Sequence, residues 1–153
     1  RWHRETNMPH DDNDGPEFDI DPAILERAEM AISALGDGYR DTVRDKADDM
    51  TRLIDTLAAG TADDTGARDA LFRHGHELAG QGGTFGFAPL SDIGRSLCDF
   101  IDTRNGKVSS DDVAVFRAHV AAASQVVNRE MPGADSTDTL LSDLRELVRR
   151  HMA

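Results

Sequence analysis

The sequence predicts an all-α fold, a bundle of amphipathic helices. Three observations carry this reading. Apolar residues recur at helical spacing from Ile24 to Val148, no stretch alternates as a half-buried strand does, and short polar connections containing Gly or Pro separate the periodic segments. The 153 residues suffice for one core without disulfide or metal staples, and the 39% hydrophobic content supplies it.

Residues 1–21 hold Arg1 and Arg4 against seven carboxylates, with Pro9, Gly15, Pro16 and little apolar surface, and read as an acidic flexible arm with Trp2 exposed. Asp21 is a good N-cap with Pro22 behind it, and a first helix carries Ile24, Leu25, Ala28, Ala31, Ile32 and Leu35 until Gly36 and Gly38 end or kink it. A second helix runs from about residue 40 to 59 with Val43, Ala47, Met50, Leu53, Ile54 and Leu57 inward, and Gly60 stops it. The third runs from about Asp64 into the low 80s. Pro89 opens a fourth, with Leu90, Ile93, Leu97, Phe100 and Ile101 inward, ending at Asn105-Gly106. Ser109 or Ser110 caps a fifth, which carries Val113, Phe116, Val120, Ala123 and Val127 and stops at Pro132-Gly133. A last helix spans about 137–151, with Leu140, Leu141, Leu144, Leu147 and Val148 on one side. The expected organisation is an arm at 1–21, a helical bundle at 22–131, and a linker with an amphipathic helix at 132–153.

Composition narrows the function. With 17 Lys+Arg against 29 Asp+Glu the net charge is −12, which argues against nucleic acid and anionic membrane as partners. No apolar run approaches the roughly 18 residues of a membrane span. One cysteine, Cys98, makes no internal disulfide, so a cytoplasmic location is the expectation. Cys98 sits among Leu97, Phe100 and Ile101 and reads as a small core hydrophobe.

The third helix carries the chemistry. Gly75, Gly80, Gly82, Gly83 and Gly86 crowd one stretch. Each glycine inside a helix costs about 0.8–1 kcal/mol relative to Ala, so something must need bare backbone there: a neighbouring helix or a docking protein. Gly80 lies one turn beyond His76, with Gly83 a further turn on, so the imidazole is expected over a glycine floor, with Leu71, Leu78 and Phe85 pointing inward. His74 is two residues away on another face and reads as a flanking polar group. Metal binding by His74, His76 and Glu77 with Cys98 or His119 is rejected, because histidines at i and i+2 do not share a helical face and no second cysteine exists. A nucleotide loop at Gly80–Gly86 lacks both the Gly-Lys-Ser/Thr ending and a preceding strand.

His76-x-Leu78-x-Gly80, with Gly86 ten residues after the histidine and an amphipathic helix from about Leu90, resembles the histidine-phosphotransfer (HPt) domains of bacterial multistep phosphorelays. The resemblance covers about residues 40–130 and implies a four-helix bundle, which leaves the first and last helices as additions. It implies that His76 is the phosphoacceptor, taking a phosphoryl group from an aspartyl phosphate and passing it to another aspartate through a phosphohistidine. The expected partners are a response-regulator receiver domain, a hybrid histidine kinase, or both. Mg²⁺ is expected on the receiver, and the chain itself is expected to need no cofactor. Arg73, Ala79, Gly80, Gln81 and Gly83 are the expected lining, and Glu77 is given no chemical role. The family more often has lysine where this chain has Ala79, and that lysine is thought to hold the phosphoryl group. Arg73, one turn before His76, offers a replacement charge. The alternative is an HPt-shaped interaction module that binds a receiver or kinase domain without carrying phosphate. The terminal helices are expected on the bundle's end or flank away from His76, or else one of them forms a homodimer across a two-fold axis.

Overall fold

The computed structural model describes residues 19–60, 64–104, 108–128 and 134–152. Among them are five helices and no strand: α1 (Pro22–Ala59), α2 (Asp64–Gln81), α3 (Ala88–Asp102), α4 (Ser110–Asn128) and α5 (Ala134–Met152). Most of the acidic arm, including Trp2, lies outside the described residues. The chain forms two compact units, residues 1–34 and 35–153.

The first two expected helices are one. α1 runs for 38 residues through Gly36 and Gly38, and neither glycine has a positive φ. Two glycines cost about 2 kcal/mol of helix propensity together, which flanking segments of good helix formers offset when no proline follows. The predicted stop at Gly60 holds, because its φ of 66° is the left-handed turn that ends α1. α5 begins three residues before the expected start, at Ala134.

In the first unit Asp21 caps α1, its carboxylate accepting the Ala23 N–H at 3.0 Å. Ile24, Leu25, Met30 and Ile32 of this unit are 46–68% exposed.

In the second unit the core is built from one stripe of each helix. α1 contributes Tyr39, Val43, Met50, Ile54 and Leu57, and α2 contributes Leu71 and Leu78. Leu90, Ile93, Leu97 and Phe100 come from α3, and Val115, Phe116, Val126 and Val127 from α4. Arg117 pairs with Asp55 at 2.8 Å and Arg44 donates to Asn128 at 3.0 Å, so α4 runs antiparallel to α1. The start of α4 is a reciprocal cap: Ser109 Oγ accepts the Asp112 N–H at 3.0 Å, and Asp112 accepts the Ser109 N–H at 3.1 Å. These four helices form a four-helix bundle, as expected.

α5 packs on α3 and α4 through Leu141 and Leu144. Asp92, Ser96 and Asp99 line the α3 side of that junction, on the face opposite Leu90, Gly94 and Leu97, which meet α2. The C-terminal helix therefore covers the flank of the bundle away from α2.

The candidate phosphoacceptor face of α2

α2 has a buried edge and an open edge. Ala67, Leu71, Gly75 and Leu78 are buried, while Asp69, Arg73, His76 and Gly80 are exposed and fall in one stripe on the opposite side. The amphipathic spacing alone turns His76 outward.

The buried edge makes an unusually close crossing with α3. A Cβ added to Gly94 would lie 2.4 Å from the Gly75 carbonyl oxygen and 2.6 Å from the Ala79 nitrogen. A Cβ on Gly75 would meet Cys98 Sγ at 3.0 Å. Gly82 is closed in by the Phe87 carbonyl oxygen and the Ser91 nitrogen, each 2.8 Å from where its Cβ would stand. Three of the glycines near this crossing are thus packing devices, one of them in α3 and not anticipated.

The third expected helix, from about Asp64 into the low 80s, is α2. α2 ends at Gln81, so Gly82, Gly83 and Gly86 belong to the α2–α3 turn. Gly86 has a φ of 89°, which an L side chain rarely adopts. Gly83 stays exposed, but its N–H donates to Ser91 Oγ at 3.0 Å instead of extending the helical face. Phe85 stacks on Tyr39 with ring centroids 4.6 Å apart, and Arg40 lies over the Phe87 ring at 4.9 Å. The aromatic residues of the Gly-Thr-Phe-Gly-Phe segment are anchors that fix the turn to α1.

Gly80 is open: a Cβ there would meet nothing within 4 Å. That distance excludes the expected placement of the His76 ring over Gly80. The imidazole lies instead parallel to the Phe72 ring, with centroids 6.4 Å apart and planes 8° from parallel. The reason is the tilt of helical side chains toward the N-terminus, which carries the ring over the preceding turn. Phe72 was the residue that sequence reasoning missed, and its i−4 spacing with this tilt was the available signal. Its carbonyl accepts the Cys98 thiol at 3.4 Å, so α3 holds the turn on which the imidazole rests. Phe72 also borders a shallow depression of about 320 Å³ with Arg68, Asp69, Ile101 and Asp102.

The other expected lining residues divide. Arg73 and Gly80 share the stripe of His76, Ala79 is half-buried toward α3, and exposed Gln81 lies about 140° around the helix from His76. Burial pushes the Cys98 thiol up to about 11, with Asp102 and Asp99 adding to it, so this is a packing cysteine.

Glu77 and His74 occupy the flank facing α1. Lys46 of α1, its side chain 15% exposed, pairs with Glu77 and holds that carboxyl below its ordinary range. His74 Nδ1 stands 3.7 Å from the same carboxylate, and burial, followed by Lys46, lowers the His74 pKa. Lys46 is the lysine among the described residues, and the pairing commits it to this flank. His119 is fully buried, with Nδ1–H donating to the Val115 carbonyl at 2.8 Å and Nε2 accepting from Ser96 at 2.9 Å. Burial takes its pKa down to about 4. Both of its nitrogens are used internally, whereas His76 has one exposed ring resting on a phenyl.

An outward histidine on a helix locked to its neighbour, with bare backbone one turn beyond, decides between a structural and a working histidine-bearing helix only together with the fold. The model of the Hpt domain matches residues 37–126. The chain belongs to the Hpt domain family. Neither the curated proteins nor the solved structures gave a match. The matched region of this Hpt domain takes in the lower part of α1, all of α2 and α3, and α4 to within two residues of its end. Membership implies a phosphotransfer-type module of phosphorelays that interacts with receiver or kinase domains. No helix among the described residues is long and apolar enough to cross a membrane.

Proposed function

We propose that this Hpt domain relays a phosphoryl group between receiver-domain aspartates through His76. The observation that carries this reading is the exposed imidazole on the open edge of α2, approached past Gly80 where no side chain stands. A ring nitrogen would attack the phosphorus of an aspartyl phosphate in line. The P–N bond forms, the P–O bond breaks, and its electron pair leaves on the aspartate carboxylate. The imidazolium so formed releases the proton on its other nitrogen to water. Mg²⁺ belongs to the partner receiver in this scheme, and the module works in the cytoplasm of a bacterium. The test is incubation with a phosphorylated receiver domain and detection of acid-labile phosphate. Wild type and His74→Gln should acquire it and His76→Gln should not; label on His74, or none on wild type, overturns the proposal.

Ala79 favours the rival reading, an adaptor of the same shape without phosphate. The same assay decides it, because an adaptor would bind the receiver and stay unlabelled. For residues 20–34 we propose a second copy of the chain as the partner. Ala28 and Ala31 lie between Ile24 with Leu25 on one side and Ile32 on the other, a large–small–large order that complements itself about a two-fold axis. Asp21, Glu26 and Glu29 against Arg27 leave this segment a net charge of only −2 in a chain of −12. Sedimentation should show a dimer that Ile24→Glu with Ile32→Glu converts to monomer, and a monomeric wild type overturns it.

A further inference from the structure

We infer that Arg73 supplies the positive charge that holds a phosphoryl group on His76, an assignment that rests on the phosphocarrier reading above. A phosphohistidine would place about two negative charges on the surface of a chain whose net charge is already −12, so a nearby cation is needed to retain it.

Three observations select Arg73. It is exposed on the same stripe as His76, three residues earlier. The imidazole leans back along the helix axis, as its parallel Phe72 ring shows, toward the turn that carries Arg73 and away from Gly80. Several other surface arginines are held by carboxylates: Arg44 by Asp41, Arg52 by Asp49, Arg95 by Asp92 and Arg117 by Asp55. Among the described residues Arg73 has no hydrogen bond and no ion pair within 4 Å, although Asp69 lies one turn before it. Its charge is felt at Glu77, but Lys46 already holds that carboxylate.

The alternatives on the page are weaker. Lys46 stands on the flank toward α1, where its charge is already taken by Glu77. Ala79, half-buried against Gly94, has no charge to offer. A guanidinium suits the task because its planar fork can meet two phosphoryl oxygens at once.

Phosphoramidate, which transfers its phosphoryl group to imidazole with loss of ammonia, tests this without a partner protein. Wild type, Arg73→Gln, Arg73→Lys and the double variant Arg73→Gln with Ala79→Lys are labelled at low ionic strength, and the formation and decay of phosphohistidine are followed by ³¹P NMR. Arg73→Gln is expected to slow formation and shorten the lifetime about three- to fivefold, the size of an exposed charge contact. Arg73→Lys should stay close to wild type, the Ala79→Lys double variant should recover, and the difference should shrink in 0.5 M salt as about 4 Å screening sets in. All four should melt alike. Arg73→Gln matching wild type in formation and lifetime overturns the assignment while leaving His76 as acceptor. A wild type that takes no label at His76 overturns the phosphocarrier reading, and the role of Arg73 with it.

Discussion

The two edges of α2 use glycine for opposite ends. At the crossing, Gly94 of α3 has no room for a methyl group against the α2 backbone, and at Gly75 one would crowd Cys98 and Leu97. One turn from Gly75 on the other side, Gly80 has open space around it. The sequence shows the same residue type in both places. Glycine at the crossing stabilises the bundle by letting two helices approach, whereas Gly80 contributes nothing to packing and costs helix propensity. A position that is worse for stability and neutral for packing points to an outside visitor.

Substitutions should separate the edges. Gly94→Ala is expected to have the largest effect, lowering stability by about 3 kcal/mol or unfolding the protein, because backbone atoms at 2.4 and 2.6 Å cannot give way as a flexible side chain can. Thermal melting checks it, and a variant as stable as wild type would mean that the crossing is looser than its geometry.

The same contrast separates the two histidines His119 and His76, one with every nitrogen used inside and one facing out. Because the folded chain keeps His119 neutral down to about pH 4 while the unfolded chain takes up a proton near 6.5, its stabilising effect is complete above pH 6.5 and is lost as the pH falls toward 4. The loss amounts to roughly 3 kcal/mol at most. Melting curves between pH 7 and 4 should show His119→Gln declining less than wild type. Equal slopes for the two would overturn this account of His119.

The smallest effect on stability belongs to the open edge. Gly80→Ala should raise stability by about 0.5–1 kcal/mol, since the added methyl meets nothing and the helix gains propensity. Gly80→Leu should stay folded yet transfer phosphoryl from a receiver about tenfold more slowly, because its side chain stands beside the approach to His76. Unimpaired transfer by Gly80→Leu would sink the close-approach argument, and a fall in melting temperature would mean that Gly80 packs after all.

Helical periodicity and the polarity of α2 were legible residue by residue. The stripes that begin at Val43, Leu90 and Val113 run where the spacing puts them, and Leu71 and Leu78 turn inward as expected, leaving His76 outside. That much follows from the 3.6-residue period, which any single chain displays. Continuity through Gly36 and Gly38 was not legible, since a glycine's cost is the same whether a helix stops or runs on, and the flanking segments decide it. Tertiary structure alone decided which glycines face a neighbour: Gly94 carries no local mark, and its need for bare backbone exists only because Gly75 lies against it. It also decided where the imidazole rests, on Phe72 rather than over Gly80, because α3 grips the Phe72 carbonyl and side chains tilt back along the helix. Local spacing determines which face a residue occupies; what stands opposite that face is settled by distant parts of the chain meeting in space.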